Sequence, residues 1–236
     1  MASNTAAVPD TPARRRLPVW ARIVVWLVRL GLLALIYFAV KLHWFSMATL
    51  RARIFPAVVL FIGFSIYWGI AARNRAPTKS SESRGSTIFH QVWTNCAYVV
   101  LFWPIPGLRG WFEPPQIYGL VLAGLAIEAA SIGLAIWARR HLGRNWSAAV
   151  RIGEGHELVR TGPYRFLRHP IYTGVLGMVL GIALVSGQYH ALIALGMLII
   201  AYIRKTRLED NILRDTFGST YDDYRRHTWG LVPLIY

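Results

Sequence analysis

Residues 161–174, Thr-Gly-Pro-Tyr-Arg-Phe-Leu-Arg-His-Pro-Ile-Tyr-Thr-Gly, bring a turn, two arginines and a histidine up to an apolar run. Gly162 and Pro163 predict a turn, because glycine accepts unusual dihedrals and proline fixes φ. Pro170 suits the first position of a helix, where a missing N–H costs nothing. The free N–H groups and positive dipole end of that helix, beside Arg168 and His169, can hold a carboxylate or a phosphate. His169 reads either as an interfacial packing residue or as a donor or base toward such a ligand. Tyr164 and Tyr172 flank the turn, where aromatic rings stack on a base, embrace a cation or mark the interface.

A second group lies near the C-terminus. Five of the eleven acidic residues, Glu209, Asp210, Asp215, Asp222 and Asp223, fall there, and Glu209 and Asp210 directly follow an apolar run. One reading has them neutralise Arg204, Lys205 and Arg207 as solvated helix pairs, worth about a few tenths of a kcal/mol each. The other makes them carboxylates at a buried mouth, able to hold an ammonium group or a sulfonium cation. Two more charges, Glu128 and Arg29, fall inside apolar runs, where an unpaired charge is costly and marks a candidate functional position. Glu128 reads as a residue of a substrate cavity, or as one half of a structural pair. Arg29 has the further option of snorkelling.

The elements that position these groups are membrane helices. The chain has 236 residues, 55% of them hydrophobic, and carries repeated apolar runs near the length of a bilayer span. Six spans are predicted at roughly 19–41, 54–72, 88–105, 116–138, 170–187 and 190–206, the last two split at Gly187-Gln188-Tyr189-His190. The net charge of +15 is placed between these runs rather than along one soluble face, which argues against nucleic-acid binding. Arg14–Arg16, Arg73, Arg75, Lys79, Arg84, Arg139, Arg140, Arg144, Arg151, Lys205 and Arg207 fall on one side of six spans. Lys41, Arg51, Arg53 and Arg109 fall on the other. That bias predicts a multi-pass protein with both termini in the cytoplasm, as in a bacterial inner membrane.

Residues 1–18 read as a disordered tail, 19–138 as four spans, and 139–236 as a connector, a helical hairpin in the membrane and a helical tail. Arg204 through Phe217 predicts a helix capped by Gly218, with Ser219 able to cap another. The fold class is therefore an all-α polytopic membrane bundle. Cys96 stands alone, which excludes an internal disulfide and any multi-cysteine metal site. His141, His156, His190 and His227 lack metal-ligand spacing, so no metal is expected. There is no G-x-G-x-x-G after a strand, no P-loop and no G-x-S-x-G elbow, so a nucleotide-like cofactor would bind without a Rossmann domain.

Leu142-Gly143-Arg144-Asn145-Trp146-Ser147, His156-Glu157-Leu158-Val159 and Gly162 through Gly174 form an ordered series with the tail residues Glu209-Asp210, Phe217-Gly218, Tyr221, Tyr224-Arg225 and Pro233. Over roughly 139–233 this series resembles the isoprenylcysteine carboxyl methyltransferase family. The resemblance implies a helical membrane methyltransferase that uses S-adenosyl-L-methionine and a lipophilic or membrane-partitioned acceptor, at a carboxylate or a thiol. It implies that His156, Tyr164, His169, Pro170 and Tyr172 line the cofactor pocket, that Glu209 meets the cofactor's amino-acid end, and that Tyr221 and Tyr224 close it. Arg168 and Arg207, with Glu209, are the candidates for the chemistry, the two arginines orienting an acidic acceptor. Glu128 is a further candidate on the substrate side. Asp210 stands where the family usually has a second glutamate. Phospholipid N-methylation on the same scaffold, an NADPH-dependent reductase resembling the sterol reductases, and a non-catalytic transporter are the alternatives.

Overall fold

The computed structural model describes residues 48–72, 78–103, 118–143, 146, 151–153 and 158–232. The expected tail and first span, with Arg14–Arg16 and Arg29, lie outside the described residues, as do residues 104–117 and His156. The described chain runs α1 (Ala48–Ala71), β1 (Thr78–Ser81), α2 (Arg84–Phe102), α3 (Tyr118–Leu142), β2 (Arg151–Gly153), a 3-10 turn (Gly162–Arg165), α4 (Pro170–Ser186), α5 (Tyr189–Phe217) and α6 (Ser219–Arg226).

The helices fall where the apolar runs predict them, with two corrections. Thr78–Ser81, expected in a polar loop, pairs antiparallel with Arg151–Gly153, so the all-α expectation gains one short two-stranded pair. The span expected at 190–206 and the helix expected from Arg204 to Phe217 form one continuous helix, α5. No glycine or proline interrupts 203–217, so the helix has no reason to stop before Gly218. Gly218, at φ 53°, then ends α5 and precedes α6, in which Ser219 is the first residue and not the cap.

α4 begins at Pro170 with His169 as its N-cap and ends at Gly187, whose left-handed conformation (φ 64°, ψ 24°) reverses the chain into α5. α3 packs most extensively on α4, and the contact needs glycine: a Cβ at Gly181 would sit 2.5 Å from the Gly124 carbonyl oxygen. One at Gly174 would sit 2.6 Å from that of Ser131. Such close helix approach is how membrane helices gain packing energy where lipid supplies no hydrophobic drive.

The core lies where α4 and α5 meet the other helices, around Met178, Val179, Val185, Ala194 and Leu198. The outer faces are apolar as well: Phe55, Ile66, Leu122 and Ile200 are each more than half exposed. Ile54–Ala71 within α1 and Tyr118–Leu142 are long and apolar enough to cross a membrane, and α4 is a shorter apolar helix. Outward apolar faces of this extent fit a bilayer and would be a liability in water.

Candidate functional site

The segment before α4 is bound to the chain's tail. Leu167 and Trp229 form a parallel bridge, the Trp229 N–H donates to Phe166 O (3.1 Å), and the Arg168 and His169 N–H groups donate to Trp229 O (2.8 Å) and Gly230 O (3.1 Å). The Arg168 guanidinium donates to the carbonyls of Arg225 and Thr228, the Tyr224 hydroxyl to Tyr164 O (2.7 Å), and the Thr173 hydroxyl to Leu231 O (2.5 Å). The Arg168 and His169 amides, just before the helix start that the sequence offers to an anion, are thus taken by tail carbonyls. Arg168 is turned the same way, as a clamp on the tail.

This strap fixes His169 against the end of α5. Its Nδ1 lies 3.1 Å from Glu209 Oε2 and its Nε2 lies 2.8 Å from Asp210 Oδ1. Only the imidazolium can donate to both. Burial pushes the His169 pKa down, but the hydrogen bonds and charges of Asp210 and Glu209 outweigh it and raise it to about 9. For Asp210, burial acts upward, and its hydrogen bonds to His169 and Tyr221 with the His169 and Arg168 charges bring it below the ordinary aspartate value.

The Tyr221 hydroxyl donates to Asp210 Oδ1 (2.5 Å), the Tyr172 hydroxyl to Glu209 Oε1 (2.5 Å), and Arg168 Nε stands 3.8 Å from Asp210 Oδ2. Burial first, then the Asp210 charge, holds the Tyr221 phenol far above its usual range, so it stays a donor. The two anions and two cations cancel, which is what a buried cluster requires. Glu209 accepts these two bonds and its side chain keeps 17% exposure, so acceptor capacity remains for a ligand cation.

The Tyr172 ring stacks on His169 (5.8 Å, 13°) and on Tyr202 (4.8 Å, 30°). Tyr164 is buried beside His141, and Pro170 is buried at the helix start. The site therefore gathers Tyr164, Arg168, His169, Pro170, Tyr172, Glu209, Tyr221 and Tyr224. Arg207 and Glu128 are not brought to it. Two residues before Glu209, Arg207 points about 200° away around the helix. It lines a groove of about 420 Å³ with Ile200, Ile203, Arg204, Leu208 and Asn211. Glu128 is fully buried in α3 against Gly181, about 18 Å along α4 from His169, and neither carboxyl oxygen has a hydrogen-bond partner. Among the described residues no three His, Cys, Asp or Glu side chains are placed to hold a metal.

Residues 120–220, which hold most of this cluster, match the phospholipid methyltransferase family. The chain is 27% identical over 88 residues to the protein-S-isoprenylcysteine O-methyltransferase of Schizosaccharomyces pombe, covering 37% of each chain. Over this segment the chain is similar to phospholipid methyltransferases and to isoprenylcysteine O-methyltransferases. It is also 31% identical over 150 residues to a protein of Alcaligenes xylosoxydans xylosoxydans named nickel-cobalt-cadmium resistance protein NccN, covering 61% of this chain and 64% of that one. The chain thus spans less than two thirds of the length of either relative. A solved structure of the eukaryotic intramembrane Ras methyltransferase, isoprenylcysteine carboxyl methyltransferase, aligns over 93% of this chain and 88% of that one, at 16% identity and a TM-score of 0.48.

Within the matched segment three features are not evident from the sequence. Asp210 holds both His169 and Tyr221. Lys205, read as a solvated cation, is 2% exposed and lies 2.5 Å from Glu82 Oε2. Arg139 is buried, donates to Ala71 O (2.7 Å) and Gly143 O (2.8 Å), and lies over the Trp146 ring. The spacing of Leu198, Tyr202, Lys205 and Glu209, four, three and four residues apart, was the available sign that Lys205 shares the buried face.

Proposed function

We propose that the protein is an S-adenosylmethionine-dependent methyltransferase acting on a lipophilic acceptor at a carboxylate or a thiol. The observation that carries this reading is the strapped cluster of His169, Glu209 and Asp210 inside the segment that matches a methyltransferase family. When bound, S-adenosylmethionine supplies an activated methyl group on a sulfonium sulfur. The residues fit such a group: Glu209 has spare acceptor capacity for its ammonium, and the Tyr172 hydroxyl and the His169 ring fix that carboxylate. His169, fixed as an imidazolium between two acids, sets where the Glu209 carboxylate points. Asp210 and Tyr221 hold His169 in turn, and Tyr224, Arg168 and the tail close the pocket.

Positioning in a site that excludes water supplies much of the acceleration for a displacement on an activated centre. We read the pocket as cytoplasmic, at the mouth of a six-span bundle in a bacterial inner membrane with both termini inside. His156 completes its lining in this proposal. Glu128, deep in α3, then faces the far end of a long acceptor rather than its reacting group. Arg207, in the groove outside the cluster, orients an approaching acidic acceptor in this proposal.

Calorimetry on detergent-purified protein tests this, with S-adenosylmethionine, its demethylated product and NADPH as ligands. Saturable binding of the first two that disappears in Glu209→Gln is expected. Folded protein that binds neither overturns the proposal, and NADPH binding in their place points to a reductase. The phospholipid methyltransferase match favours one second reading, an amine acceptor on a phospholipid headgroup. Methyl transfer to phosphatidylethanolamine vesicles, measured against transfer to a prenylated thiol acid, separates the two.

A further inference from the structure

A second buried ion pair lies one helical turn from the cluster. Lys205 Nζ is 2.5 Å from Glu82 Oε2, and both side chains are almost wholly buried, at 2% and 0% exposure. The Ser86 hydroxyl donates to Glu82 Oε1 (2.5 Å) and accepts from Arg204 Nη2 (2.5 Å), so the carboxylate is fixed by the first turn of α2. Burial pushes the Glu82 carboxyl upward, but the hydrogen bonds of Lys205 and Ser86 and the Lys205 charge leave it below its ordinary range. The pair ties the segment just before α2 to α5, two parts far apart in the chain.

Lys205 stands four residues before Glu209 on the same helix, the spacing at which side chains meet. Its four-carbon arm is flexible and its ammonium is a compact charge able to reach either carboxylate. Released from Glu82, a buried ammonium would need a new anion. Asp210 is already taken up by His169, Tyr221 and Arg168, whereas Glu209 retains acceptor capacity.

We infer that Glu82 is a positioning residue that holds the Lys205 ammonium away from Glu209, keeping that carboxylate open to a cationic ligand group. The inference rests on the proposal that Glu209 receives the cofactor's ammonium. It assigns Glu82 and Lys205 no contact with the ligand. Its consequence is a sign reversal: losing Glu82 impairs binding, and losing Lys205 as well restores it.

Calorimetric affinity for S-adenosylhomocysteine, the demethylated cofactor, reads this directly. Wild-type binding that is lost in Glu209→Gln secures the underlying proposal, and without it that proposal fails, whatever Glu82 does. Given that binding, Glu82→Gln is expected to weaken affinity about tenfold or more, the scale of an opposed charge in a half-buried site. The double variant Glu82→Gln with Lys205→Met is expected within about threefold of wild type, since neither residue meets the ligand. Ser86→Ala, which only loosens Glu82, gives the same pattern at smaller amplitude and serves if Glu82→Gln does not fold. A folded Glu82→Gln or Ser86→Ala that binds like wild type overturns the inference. So does a loss that Lys205→Met fails to reverse, the mark of a merely structural pair.

Discussion

The His169 cluster makes a quantitative prediction about pH. From an ordinary 6.5, His169 is raised to about 9 in the folded protein. At 1.36 kcal/mol per pH unit the fold favours the imidazolium by about 3 kcal/mol. A folded value above the unfolded one means that this stabilisation is fully present below pH 6.5 and is lost as pH rises through about 9. Asp210 runs the other way: its value is depressed, so its share is present above 3.8 and lost as pH falls through the lowered value. The two describe one interaction seen from each partner and are not added.

Reversible unfolding in mixed detergent micelles, followed by the fluorescence of the ten tryptophans, measures the effect. Taken as wild type minus His169→Gln, other titrating groups cancel. That difference should be flat from about pH 5 to 6.5, then fall by about 1.4 kcal/mol per unit, levelling off above about 9. A difference that stays constant across this window, or grows with pH, refutes the claim that both acids hold a protonated His169.

Tyr221→Phe removes the donor to Asp210 and should cost about 1–2 kcal/mol of stability in the same assay, while shifting the His169 pH dependence only slightly. Arg168→Lys keeps the charge but loses the planar fork that serves the Arg225 and Thr228 carbonyls. Faster proteolytic cleavage within 225–232 is expected, together with weaker binding of the cofactor product. Gly181→Val drives a side chain into the Gly124 carbonyl and should destabilise by about 1–3 kcal/mol or prevent folding, read from the yield and unfolding midpoint of purified protein. Glu128→Gln replaces a buried, unpartnered carboxyl by a neutral group of the same shape. Calorimetry should show unchanged cofactor binding, and stability should be equal or higher.

Much of the helical layout was legible in the sequence because it rests on local rules. Pro170 at a helix start, Gly187 as a reversal and Gly218 as a stop each act within a few residues, and each stands where the rules put it. The strand pair was not legible, since Thr78–Ser81 has no alternation strong enough to announce a partner about seventy residues away. The cluster was half legible. His169 and Glu209 were singled out by type and neighbourhood, but nothing local says that residues 229–230 return to take the Arg168 and His169 amides. The hold of Arg168 on the tail was not legible for the same reason: a long-range clamp and a ligand-binding arginine read alike until the chain is folded. Glu82 and Lys205 illustrate the cost of counting charge alone, since a cation beside a membrane looks solvated unless its buried helical face is traced.

The charge state of His169 bears on which acceptors suit this site. In the sequence a histidine beside a helix start reads equally as base or donor. In the fold, both ring nitrogens face carboxylates, and a value of about 9 leaves the ring protonated near neutral pH. A group that already holds its proton cannot take one from an incoming amine. Tyr221 cannot either, since its phenol is held as a donor to Asp210. Asp210, held below the ordinary aspartate range, is too weak a base to help. The cluster is built to fix a carboxylate rather than to move protons, and fixing is what a displacement on an activated sulfonium asks of its enzyme. An acceptor that arrives already anionic, as a carboxylate or thiolate does, needs nothing more from these residues than a lined and closed pocket. An amine would require a base, which none of His169, Tyr221 and Asp210 supplies, and this asymmetry is why the proposal places the carboxylate and thiol acceptors ahead of the phospholipid amine.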